Sequence, residues 1–203
     1  EQVWRHVLYA GYHSYATALA EAPGHDLYLC GSSWRTPDWA VSNVLLIRTG
    51  QAGDTLWKRS YNWPDDAFGE QVISTADGNI LVGGKTFRNV YNIILLKVKP
   101  NGDTLWTRTF NSPATQLSYH LLEIRNGGYL ITGAHSYGSF DRSLFYLMLD
   151  RNGNKLWEKM IGDSTWQWGG STVELANGDL VTCGAKKSKL LLIKSNMYGD
   201  VIW

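Results

Sequence analysis

Nowhere in this 203-residue chain does an apolar run approach the roughly 20 residues that span a bilayer as a helix, so no membrane insertion is expected. Charge of one sign is lacking too. The 19 Lys and Arg nearly cancel the 18 Asp and Glu, and a net charge of +1 predicts neither nucleic-acid affinity nor a strong pull toward a membrane. Cysteine is scarce: Cys30 and Cys183 make no disulfide framework. Each stands one residue before a glycine, in "LCG" and "TCG", and the matching places elsewhere hold Gly83 and Thr132. A slot taking only Cys, Gly and Thr reads as a tightly packed small-residue site, because a free cysteine packs as a small hydrophobe. There is no initiator methionine and no signal peptide, and "EQVWRHVLYAG" opens in mid-strand; a mature secreted form or an excised fragment is expected. What is abundant is aromatic: ten Trp and eleven Tyr, which with 21 Gly point to an all-β chain with many turns.

A ruler runs through the chain. Trp57, Trp106, Trp157 and Trp203 each follow a glycine by four residues (Gly53, Gly102, Gly153, Gly199), and Trp4 reads as a fifth copy. From Trp4 to Gly31, Trp57 to Gly84, Trp106 to Gly133 and Trp157 to Gly184 the distance is always 27 residues. Equal spacings argue for one backbone used four times. The variable lengths all fall between that closing glycine and the next apolar run, "VLLI", "IILL", "LFYL" or "LLLI".

Each repeat divides into four short strands. Strand A is "ATALAEA", "EQVISTA", "YHLLEIR" or "STVELAN". Turns "GHD", "DGN", "NGG" and "NGD" lead to strand B, and Asp-Gly and Asn-Gly predict two-residue hairpins there. The variable loop leads to strand C, the apolar run, and a second Gly-containing turn leads to strand D, "TLWKRSY" and its counterparts. Four antiparallel strands in about 50 residues predict a β-propeller blade, with a β-solenoid as the alternative. The reading is one β-propeller domain over 1–203, with units of about 5–57, 58–106, 107–157 and 158–203. The recurring Trp fills the wedge between blades, and the small residues Ala16, Gly69, Ser118 and Gly169, twelve after each Trp, sit where blades crowd. A strand D start at both ends, "EQVW" and "GDVIW", predicts an arc of a larger propeller or assembly with further copies, with a closed four-bladed ring as the alternative.

"LDRNGNKLW" and "PNGDTLW" resemble the tryptophan-docking motif of quinoprotein-type propellers, one residue shorter before the glycine. With "ADGNILVGG" and "NGGYLITG" the whole chain is similar to the repeats of bacterial secreted and cell-surface β-propellers. That resemblance implies architecture and an extracellular, cell-surface or periplasmic location. Quinoprotein dehydrogenases would imply a quinone and calcium; no residue pattern here carries either over, so no cofactor is expected. The sialidase Asp-box and the WD-repeat signatures do not match.

In a propeller the A–B and C–D turns share one face, and here they are short, polar and interchangeable. The D–A and B–C loops share the other, with "NWPDDAFG", "GDSTWQWGG", "SSWRTPDWAVSN" and "AHSYGSFDRS". Loops on a rigid scaffold carry recognition. Tyr15, Phe68, Leu117 and Trp168 share one repeat position and read as blade packing, whereas Trp34, Trp39, Trp63 and Trp166 break the register. These four read as ligand contacts, with loop self-packing or contact to a missing part as the alternatives. The expected ligand-binding set is Trp34, Arg35, Asp38, Trp39, Trp63, Asp65, Asp66 and Trp166. The aromatics would supply contact area and Arg35 with the carboxylates would orient the ligand. Asp65 and Asp66 are adjacent and point apart, and no metal-ligand spacing is present. Glu70, His13 and His120 enter through equivalent strand A positions, but nothing marks them as catalytic. Lys186, Lys187 and Lys189 read as a solvated loop. The expected function is a secreted or surface module binding a glycan or a protein; a structural or assembly scaffold and a glycan-active hydrolase are the alternatives.

Overall fold

Alternating strands and glycine turns build fifteen strands, with no helix among the described residues. The computed structural model describes residues 5–8, 10–22, 24–34, 36–39, 41–138, 141–161 and 167–203. Blade 1 is β1 (His13–Glu21), β2 (Leu27–Trp34), β3 (Ser42–Thr49) and β4 (Thr55–Tyr61). Blade 2 is β5 (Asp66–Ser74), β6 (Ile80–Phe87), β7 (Tyr91–Val98) and β8 (Thr104–Phe110). Blade 3 is β9 (Thr115–Glu123), β10 (Tyr129–Gly138), β11 (Asp141–Leu149) and β12 (Lys155–Met160); blade 4 is β13 (Gln167–Glu174), β14 (Leu180–Lys186) and β15 (Lys189–Ser195). Each blade is an antiparallel meander in chain order, four strands in the first three and three in the last. The chain divides into two compact units: Glu1–Asn89 with Ile93–Phe110, and Val90–Asn92 with Asn111–Trp203.

The turns differ from the two-residue hairpins expected. After β5 the Gly78 N–H donates to the Thr75 carbonyl (2.9 Å), and Thr75 N–H donates to the Asn79 carbonyl (2.9 Å). A three-residue loop results, a tight turn closed by a left-handed residue, Gly78 with φ 76°. The same pair of bonds recurs at Gly50–Asp54, Lys99–Asp103, Ile124–Gly128, Asp150–Asn154, Leu175–Asp179 and Asn196–Asp200. In the first repeat, Ala22–Asp26, His25 takes the left-handed place. Glycine is favoured there because that region is strained for residues with a Cβ.

Each blade has two apolar faces. In unit 1 the front of blade 1 (Tyr28, Cys30, Val44, Leu46) buries against the back of blade 2 (Val72, Ile80, Val82, Ile94, Leu96). In unit 2 the front of blade 3 (Leu130, Leu144, Tyr146, Met148) buries against the back of blade 4 (Leu180, Leu191, Ile193). The repeat tryptophans fasten the rims. Trp57 Nε1–H donates to the Pro100 carbonyl (3.1 Å) and the Tyr61 hydroxyl to the Gly102 carbonyl (2.7 Å), tying β4 to the turn of the next blade. Trp157 presses on Gly199 in the same way, where a Cβ would stand 3.2 Å from its ring.

The small-residue slot is packed as expected at Cys30 and Thr132, both buried. Burial pushes the Cys30 thiol up to about 12. Cys183 departs from the expectation: it is exposed, as are Leu190 and Leu192 on the same face of blade 4. A thiol reagent is therefore expected to label one cysteine in the native protein and two in urea.

Lys97 is buried on β7 and its ammonium bonds Asp77 Oδ2 in the A–B turn (2.5 Å). Burial works to raise the Asp77 pKa, but hydrogen bonds from Lys97, Thr75 and Asn79 outweigh it and hold the carboxyl well below the usual range. A carboxylate lowered in the folded state contributes stability that is fully present above its ordinary value near 4 and fades as pH falls below it. Asp77→Asn is expected to lower the urea midpoint at pH 7 and to shrink the loss of stability below about pH 4. Equal midpoints for variant and wild type at pH 7 would contradict this.

Candidate functional site

The long insert of blade 1 is shorter than its sequence suggested. Trp34 pairs with Ser42 as the last rung between β2 and β3, so the loop is residues 35–41. Its base is stapled to blade 2: the Asp66 carboxylate accepts from both Ser42 N–H (2.7 Å) and the Ser42 hydroxyl (3.1 Å). Asp66 thus orders the loop, and its neighbour Asp65 faces Arg88 at 3.8 Å.

Trp34 is only 8% exposed. Its ring lies 5.5 Å from Tyr15, 6.2 Å from Phe68 and 4.8 Å, edge-on, from Trp39. It forms the floor of the loop. Trp39 stands above it, 55% exposed, with its ring stacked 3.7 Å from His13 at an interplanar angle of 13°. His13 Nε2–H donates to the Pro37 carbonyl (3.2 Å), which holds the imidazole against the loop. Trp39 has φ 60°. For a bulky residue that conformation costs about 1 kcal/mol or more, and such strain is sustained only where the surroundings impose it. Asp38, exposed, is its neighbour.

The expected residues therefore separate. Trp34, Asp38 and Trp39 come together with His13, which the sequence offered only as a catalytic candidate. Trp63 goes elsewhere: it packs on the core between blades 1 and 2, and its Nε1–H donates to the Thr109 hydroxyl (3.3 Å). Arg35 and Trp166 lie outside the described residues. Glu70 is held by Lys85 (2.5 Å), whose ammonium also lies 5.9 Å from the centre of the Phe68 ring. In unit 2, His120 Nδ1 accepts the Thr172 N–H (3.2 Å), and burial lowers its pKa, favouring neutral imidazole. Among the described residues no group of three or more His, Cys, Asp or Glu converges on a common metal position.

Unit 2 carries a cleft of about 370 Å³ that residue patterns did not single out. Tyr91, Thr115, Leu117, Ser136 and Arg142 line it, so Leu117, read as packing, also faces the opening. Beside it the Ser112 hydroxyl lies 3.2 Å from His135 Nε2 and accepts the Ala114 N–H (3.2 Å). The Ser112 N–H donates to Asn92 Oδ1 (2.8 Å). Through these bonds Ser112 fixes the D–A loop. Only the mixture of apolar residues and one Arg in facing loops could have flagged the cleft.

No protein-family model and no curated protein matches the chain. Solved structures do. A Dyadobacter fermentans protein of unknown function is similar with a TM-score of 0.60 at 11% identity, over 90% of this chain and 60% of that one. A mannose phosphorylase from Leishmania mexicana gives 0.54 at 12%, over 91% of this chain and 69% of the other. An α-L-arabinofuranosidase from Clostridium thermocellum gives 0.52 at 14%, over 93% and 71%. The chain thus spans less than two thirds of the Dyadobacter protein. These identities carry the fold alone. Propeller-fold proteins are among the similar structures, and the chain is all-β, with four antiparallel sheets of three to four strands of the propeller-blade kind.

Proposed function

We propose that the protein is a binding module that recognises a carbohydrate by stacking a sugar ring on Trp39. The observation that carries this reading is the pairing of exposure with constraint. Trp39 presents its ring to solvent, yet it is backed by His13, floored by Trp34 and held in a strained backbone conformation. A preorganised aromatic loses little entropy on binding, and its flat face suits the apolar C–H face of a pyranose. Asp38, exposed beside Trp39, would accept from sugar hydroxyls. The Asp66 staple makes the loop a fixture of the sheet, which favours recognition by a preformed surface. Two of the structurally similar proteins, the mannose phosphorylase and the arabinofuranosidase, are named for reactions on sugars, which lends the fold a precedent for this ligand class. Binding without turnover fits the carboxylates best, since Glu70, Asp65 and Asp66 are each engaged by a protein partner. A module of this kind would work at the cell surface, in the periplasm or in the medium.

A glycan array and a hydrolysis panel test the reading together. The wild type is expected to retain one family of glycans and to hydrolyse none of them. Trp39→Ala is expected to lose that signal by tenfold or more while its stability stays within about 0.5 kcal/mol of wild type, as for other exposed positions. Undiminished glycan binding by folded Trp39→Ala would reject the site.

A further inference from the structure

We infer that the front face of blade 4 docks the back face of blade 1 of a second copy of this chain. Leu190 holds the place that Val44 and Leu144 hold in blades 1 and 3, and Leu192 that of Leu46 and Tyr146. Cys183 holds the place of Cys30 and Thr132, and Val173 that of Ala20 and Leu122. In blades 1 and 3 these positions are buried or, at Ala20 and Leu122, partly buried against the back of the blade that follows within the same unit. In blade 4 the same positions face solvent: Leu190 is 99% and Leu192 55% exposed, and Val173 and Cys183 are exposed beside them.

A sheet face with this much unpartnered leucine and valine is a drive to associate. Its shape complement is also on the chain. Leu19, Leu27 and Leu29 on the back of blade 1 occupy the places of Val72, Ile80 and Val82, which complete the interface of blade 2 with blade 1. Leu19 is exposed, and Leu27 and Leu29 line a small open hollow with Leu8. One molecule therefore carries both halves of the interface already used twice inside it, on two different blades. Contacts between unlike surfaces are head-to-tail, so they produce closed rings of two or more copies, or open chains.

The experiment combines sedimentation velocity with thiol labelling of residues 1–203 across a concentration series from about 1 to 200 µM. Wild type is expected to shift to species of two or more copies, with the labelling rate of Cys183 falling at least tenfold as it does so. Leu190→Lys with Leu192→Lys is expected to remain monomeric, with Cys183 labelled at the same rate throughout. Leu19→Lys, on the other surface, is expected to dissociate the assembly as well, and circular dichroism reports that each variant keeps its strands. A wild type that is monomeric at every concentration, whether Cys183 is labelled or protected, overturns the proposal. So does an assembly that survives the paired blade 4 substitution with Cys183 still reactive.

Discussion

Gly133→Ala is expected to destabilise the protein by at least about 4 kcal/mol, enough to leave unit 2 largely unfolded in a chain of ordinary stability. The cause is a backbone contact. On β9 the pairing with β10 slips by one residue near Ser118, and the bulge brings the Leu117 carbonyl over Gly133. A Cβ there would stand 2.0 Å from that oxygen and 2.8 Å from the Phe145 ring. Overpacking against side chains typically costs 1–3 kcal/mol because side chains can turn away; a carbonyl in a sheet cannot without breaking the ladder. Gly31 and Gly84 meet the Tyr15 and Phe68 carbonyls at 1.9 and 2.0 Å, so the same substitution there is expected to act alike on unit 1. Gly138→Ala is the control, with nothing within 4 Å of its Cβ. It is expected to unfold within about 0.5 kcal/mol of wild type in urea. Gly133→Ala unfolding at the wild-type midpoint would contradict the bulge.

Trp34→Ala is expected to cost about 3–5 kcal/mol, as for a buried aromatic whose site cannot collapse. The ring is enclosed by Tyr15, Phe68 and Trp39, and its backbone is the last rung of β2 with β3, so little can move in to fill the space. The loss should reach the ligand as well. Trp39 stands on Trp34, and without that floor its strained conformation has less to hold it. Binding per folded molecule is therefore expected to fall with stability in Trp34→Ala, and to recover in large part in Trp34→Phe, which restores an aromatic floor. In Trp39→Ala the two quantities should separate, with binding lost and stability kept. If Trp34→Ala melts with the wild type, the floor is not there.

The comparison of Trp34 with Trp39 shows what the sequence could carry. Both sit in one stretch and both break the repeat register, so nothing in their spacing separates a buried floor from an exposed platform. The difference is one rung of pairing, Trp34 with Ser42, and that depends on where a loop of variable length closes. Trp63 was unreadable for a similar reason, because its partner Thr109 lies on the next blade. The blade itself was legible: the 27-residue ruler from Trp to Gly measures a fixed path, and the carbonyl over Gly31, Gly84 and Gly133 is why no other residue ends it. The turns were legible in position but not in kind. Asn-Gly and Asp-Gly serve both two-residue and three-residue hairpins, and the choice rests on which residue takes positive φ. His13 escaped because a lone histidine has no pattern, and only the fold brings it under Trp39.

The proposed ligand contact is made by Trp39 on its His13 backing. It is tested most directly by following the indole N–H resonances of the protein by NMR during titration with the glycan that scores highest on the array. The Trp39 indole and the His13 ring signals are expected to move together and saturate with the binding curve. Trp57, whose indole N–H is committed to Pro100, should stay in place. A ligand that binds while the Trp39 and His13 signals remain unmoved would contradict the account.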